Sequence, residues 1–139
     1  MDAKRFGAKI LIRCDKGDEI VESIKKVCLD NKVKLAAVTG IGAVNKVIIG
    51  LFDPVEKKYH SAEIDKTAEI TGLNGNISTM NGDIYLHVHI TLSDSKYNAF
   101  GGHLNYARVS CTAEIVIDII DGEVDRYFNE EIGLNLIEL

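Results

Sequence analysis

Two histidines one residue apart, His87 and His89, and a third fourteen positions on, His103, are the residues whose types and spacing could do chemistry. Over residues 86–93, apolar Leu86, Val88, Ile90 and Leu92 alternate with polar His87, His89, Thr91 and Ser93. That is the period of a half-buried β-strand, so both imidazoles project from the face opposite the apolar one. Side chains two apart on a strand are rooted about 6.6 Å apart, near enough for two rings to converge on one ion. Gly101-Gly102 is expected to turn the backbone sharply and deliver His103. Three imidazole nitrogens and one open position is the arrangement of catalytic zinc sites. A single surface histidine as a rule does nothing chemical. The pair, backed by Gly-Gly-His, raises the metal reading, and a hydrogen-bonded cluster without an ion is its alternative. Imidazole suits zinc, nickel, copper and iron alike, and zinc is the expected ion.

Strands must position these rings. Residues 8–14 carry the apolar run Ile10, Leu11, Ile12 and read as a first strand. Asp18 is the expected N-cap of a helix in which Ile20, Val21, Ile24, Val27 and Cys28 follow helical spacing. Asn31 is its expected C-terminal stop. Residues 33–39 and 44–52 read as two strands on either side of Gly40-Ile41-Gly42-Ala43. A Gly-x-Gly after a strand invites a dinucleotide-binding reading, but a second strand leaves no helix N-terminus for a pyrophosphate, so the glycines are expected to shape a tight turn or let another backbone approach. Residues 59–70 and 72–80 read as further strands. Asn81-Gly82 is a strong hairpin signal that pairs the preceding strand with the histidine strand. Residues 106–119 alternate over a long span, with Val109, Cys111, Ala113, Ile115, Ile117 and Ile119 on one face. Residues 124–128 and 132–139 close the chain. The expectation is a single α+β domain over 1–139, mostly antiparallel β-sheet of about eight strands with one principal α-helix.

Composition narrows the classes. With 46% hydrophobic and 27% charged residues, the chain is globular rather than disordered. No apolar run approaches the ~20 residues needed to cross a bilayer, and the first residues lack the apolar core of a signal peptide. Three widely spaced cysteines, Cys14, Cys28 and Cys111, include no Cys-x-x-Cys. They read as reduced, mostly buried thiols of a cytoplasmic protein. Net charge is −5, from 16 basic and 21 acidic residues. Basic residues occur singly or in pairs close to acids, which opposes direct binding to duplex DNA.

The order of motifs resembles the plants-and-prokaryotes-conserved (PPC) domain in its stand-alone prokaryotic form. The matching stretches are Gly40-Ile41-Gly42-Ala43-Val44, Glu69-Ile70-Thr71-Gly72-Leu73-Asn74-Gly75-Asn76-Ile77, Leu86-His87-Val88-His89-Ile90-Thr91-Leu92-Ser93-Asp94 and Gly101-Gly102-His103-Leu104. Glu114 also stands where that family usually has an acid. The resemblance implies a compact α+β fold that assembles as a homotrimer. Plant members carry an AT-hook centred on Arg-Gly-Arg-Pro, and prokaryotic members are often labelled DNA-binding by that association. This chain has no Arg-Gly-Arg-Pro and a single proline, Pro54, yet keeps the histidine set that plant domains generally lack.

Three functions compete. The first is a trimeric metal-binding protein with ligands His87, His89 and His103 and a fourth position for water, a small anion or substrate. Bound zinc would lower the pKa of its water to ~7, opening hydrolytic or lyase chemistry. Glu69 or Glu114 would then be general base or partner to a histidine, against the plainer reading of solvated strand residues. The second is a DNA-associated regulatory module that works through assembly, and the third is a small-ligand sensor.

Overall fold

Alternation of apolar and polar residues dictates most of what this chain builds. The computed structural model describes residues 1–139. In chain order it has β1 (Asp2–Phe6), β2 (Lys9–Asp15), α1 (Ile20–Asn31), β3 (Ala36–Asp53) and β4 (Lys58–Ile64). There follow β5 (Ala68–Met80), β6 (Asp83–Ser93), β7 (Ala99–Ile119), β8 (Arg126–Asn129) and β9 (Leu134–Ile137). Seven strands form one antiparallel sheet in the order β1-β2-β7-β6-β5-β3-β4. β7 pairs with β3 as well, so the run β3-β5-β6-β7 closes on itself. β8 and β9 form a separate hairpin. The expected α+β class is therefore corrected towards β, with one twelve-residue helix against nine strands. No helix is long and apolar enough to cross a membrane.

The histidine strand forms as its pattern dictates. Val88, Ile90 and Leu92 of β6 are buried, and with Leu73 and Ile77 of β5 and Ile115 and Ile117 of β7 they belong to one core. Burying side chains of this size contributes about 1.5–3 kcal/mol each. Ile10 and Ile12 of β2 extend that core, and Ile20, Ile24 and Val27 of α1 close it. Asn81 and Gly82 have φ of 53° and 86°, the two positive values of a type I′ turn. The turn fixes the β5–β6 register, in which Asn76 faces His87 and Asn74 faces His89.

Several local expectations are corrected. The first strand is Asp2–Phe6, exposed throughout and so without a burial pattern. The N-cap of α1 is Glu19, whose carboxylate accepts from the Val21 and Glu22 amides. Asp18 instead accepts from the Asp15 amide. The helix ends on Lys32 at φ 55° rather than on Asn31. Gly40-Ile41-Gly42 lies inside the single strand β3, between β5 and β7, and separates no strands. A Cβ on Gly42 would fall 2.5 Å from the Ala113 Cα, so glycine here admits a neighbouring backbone. Residues 59–70 are two strands, β4 and the start of β5. Cys14 and Cys28 are buried as expected, but Cys111 is exposed.

Candidate metal centre

Two neighbouring strands bring the three rings together. His87 and His89 lie two apart on β6, and His89 pairs directly with His103 of β7. No turn delivers His103: Gly101 and Gly102 are extended residues of β7, opposite Thr91 and Ile90. Their role is close approach. A Cβ on Gly101 would stand 2.2 Å from the Ile90 carbonyl oxygen, and one on Gly102 2.8 Å from that of Gly50. The reversal happens earlier, where the Asp94 carboxylate accepts from the Lys96 and Asn98 amides.

The candidate ligating nitrogens of His87, His89 and His103 all lie within 4.8 Å of one another. Nε2 of His87 and Nε2 of His89 are 3.3 Å apart. Two nitrogens at 2.0–2.1 Å from a tetrahedral zinc are separated by about 3.3 Å, so this pair already has the spacing of two ligands. The third ring centroid lies 5.4 Å and 5.5 Å from the other two. Burial lowers the pKa of His87, with the charges of Arg126 and His89 adding to it. Burial likewise lowers that of His103, with His87 and His89 adding to it. Those two rings are thus held in the neutral form, the only one that ligates.

The histidines line a cleft of about 860 Å³. Its walls are β3, β4, β6, β7 and the β8–β9 hairpin, which contributes Leu134, Leu136 and Ile137. Thr79 of β5 anchors that hairpin through its amide and hydroxyl, both donating to the Val124 carbonyl at 3.0 and 3.2 Å. Tyr59 packs edge-on against His103 with centroids 6.2 Å apart. Its hydroxyl sits over Gly50, where a Cβ would be only 1.8 Å away, and accepts from Asn105 Nδ2 at 2.7 Å. Arg126 stacks over the Tyr85 ring, 4.6 Å from its centroid.

Neither glutamate reaches the rings. Glu114 pairs with Arg13 and Ile41, eleven residues along β7 from His103. Glu69 faces Ser93, four residues along β6 from His89, a run of about 13 Å at strand rise. No Asp or Glu lines the cleft. Within one chain, then, the structure does not bring Glu69 or Glu114 to the three histidines. Sequence reading missed Tyr59, Tyr85, Asn105 and Arg126. Arg126 stood in a stretch already expected to be a short strand, but nothing local marks its partners, roughly fifty residues away.

Solved structures share this architecture. A candidate DNA-binding protein of Bacteroides thetaiotaomicron is 32% identical, with a TM-score of 0.96 over 99% of this chain and 96% of its own. A metal-containing protein of Archaeoglobus fulgidus is 30% identical, with a TM-score of 0.86 over 95% of this chain and 94% of its own. A plant- and prokaryote-conserved protein of Pyrococcus horikoshii is 29% identical, with a TM-score of 0.86 over 99% of this chain and 94% of its own. No curated protein matches the chain. The family model for the Plants and Prokaryotes Conserved (PCC) domain matches residues 1–121, which include all three histidines and leave out the β8–β9 hairpin. On that match, together with the shared fold, the chain belongs to the PCC-domain family.

Proposed function

We propose that this PCC-domain protein binds one divalent transition metal per chain, zinc in the first place, through His87, His89 and His103. The carrying observation is the convergence of three imidazoles on one point, two of them already at the spacing of paired ligands. Burial supports it further, because it holds His87 and His103 neutral at pH 7. The metal-containing relative from Archaeoglobus fulgidus is consistent with it. A divalent ion held there supplies Lewis-acid chemistry at a position open to the cleft. The surrounding side chains shape what enters: apolar Phe52, Leu134 and Ile137, and polar Tyr59, Asn105 and Arg126. With no carboxylate in the cleft, a hydrolytic or lyase reaction here would have to find its general base among the histidines, Tyr59 or the substrate. The protein works as a homotrimer.

Elemental analysis of untagged protein purified without chelators tests the metal. About one ion per chain is expected, and His87→Ala or His89→Ala should remove it while leaving the fold, because neither ring belongs to the buried core. Metal content near zero, or full occupancy in His87→Ala, overturns the reading. The second reading, a DNA-associated module, draws on the name of the Bacteroides relative. The net charge of −5 stands against it. Sub-micromolar binding to generic duplex at physiological salt would revive it.

A further inference from the structure

Arg126 is 7% exposed, and its three hydrogen bonds all go to neutral acceptors. Nε donates to the Ser78 hydroxyl at 2.7 Å, one terminal nitrogen to the Asn135 carbonyl at 3.0 Å and the other to Asn76 Oδ1 at 2.8 Å. A guanidinium has five N–H donors, so two remain, one on each terminal nitrogen. Removing a cation from water without a counter-charge is costly. This chain has 21 acidic side chains to offer and places none in the cleft that Arg126 lines. The same cleft holds the three histidines, and Asn76, which accepts from Arg126, is the cross-strand neighbour of His87. Once a divalent ion joins the histidines, the cleft carries two cationic groups and no anion of its own.

We propose that the cleft binds a small carboxylate, with Arg126 holding the carboxylate group and the histidine-bound ion holding a second oxygen of the same molecule. The two free N–H groups are enough in number to give each oxygen of a carboxylate one donor. The Tyr85 ring beneath the guanidinium and the bonds to Ser78 and Asn76 fix its plane in advance, so little side-chain freedom is lost on binding. Leu134, Leu136 and Ile137 supply the apolar wall against which a short carbon skeleton packs. This assignment rests on the metal reading for the second contact and on Arg126 alone for the first.

Calorimetric titration of zinc-loaded protein with malonate tests it, with malonamide as the uncharged counterpart. Malonate is expected to bind and malonamide to bind at least about tenfold more weakly, the scale of losing charge-assisted hydrogen bonds. Arg126→Gln should keep its zinc and lose about tenfold or more in malonate affinity, and Arg126→Lys should fall between, keeping the charge without the fork. Equal binding of malonate and malonamide by the unaltered protein overturns the proposal, as does an Arg126→Gln protein that binds malonate undiminished. Because Arg126 also ties the hairpin to β5, circular dichroism accompanies each variant. If Arg126→Gln does not fold, the malonate–malonamide comparison decides by itself. If the protein takes up no metal, the metal reading fails separately, and titration of the metal-free protein decides on Arg126: binding that prefers malonate retains the subsite, and no binding overturns it.

Discussion

Nε2 of His87 and Nε2 of His89, 3.3 Å apart, are close enough for one hydrogen bond or for two ligands of one ion. Burial is the largest cause lowering the pKa of both His87 and His103, ahead of the neighbouring charges. Their folded values therefore lie below the unfolded reference of about 6.5. As pH falls past that reference, the unfolded chain takes up protons that the folded cluster resists. The stability these two rings contribute is complete above about pH 6.5 and is lost as pH drops through their folded values. Metal-free protein should show a denaturation midpoint that is flat near neutrality and declines as pH falls below about 6.5. Loading with zinc should delay the decline, since the ion competes with the proton for the same nitrogens. A chemical-denaturation series across that range reads both effects. A midpoint that stays constant or rises on acidification in the metal-free protein contradicts the argument.

At the scale of elements, the site depends on how closely β6 and β7 approach, and Gly101 sets that distance. A methyl group there would meet the Ile90 carbonyl oxygen at 2.2 Å, a backbone atom that cannot swing aside. At Gly72 the nearest atom to an added methyl is the Asn74 side-chain nitrogen at 3.2 Å, which can move. Gly101→Ala should therefore cost about 1–3 kcal/mol, the scale of overpacking, whereas Gly72→Ala should cost well under 1 kcal/mol. Urea denaturation compares them, and equal costs would refute the close-approach account. The same distinction explains what could be read from the chain. β6 was legible because its alternation is local, and so was the Asn81-Gly82 turn, whose conformation those two residues choose themselves. Gly101-Gly102 suggested a turn, and Gly40-Ile41-Gly42 left a turn and a close backbone approach both open, because glycine marks both and only the neighbouring strand tells which. β1 was illegible because a strand exposed on both faces leaves no pattern. Arg126 was illegible as a site residue because Ser78 and Asn76 meet it only after the hairpin folds back onto β5.

For the molecule as a whole, the open question is what covers its edges. The sheet order leaves β1 and β4 each with one strand edge unpaired, at opposite ends of the same sheet. Unpaired edges invite pairing and are usually blocked or buried. Large apolar side chains stand exposed close to both: Phe6 and Leu11 beside the β1 edge, Leu51 and Tyr59 beside the β4 edge. Two different edges favour a head-to-tail contact, and such contacts end either in a closed ring or in an open filament. A ring buries every edge, whereas a filament would grow without limit. The proposed ring has three members, the number the family resemblance implies, and a net charge of −5 per chain would keep such rings apart from one another. Light scattering coupled to size exclusion should therefore return three times the single-chain mass of 15.3 kDa. The value should hold on dilution into the low micromolar range, and raising the salt should not dissociate the assembly, because apolar contacts and main-chain pairing are little screened. A mass near one chain in dilute solution refutes the trimer, and dissociation by salt alone would move the contact from these apolar edges to charged surface.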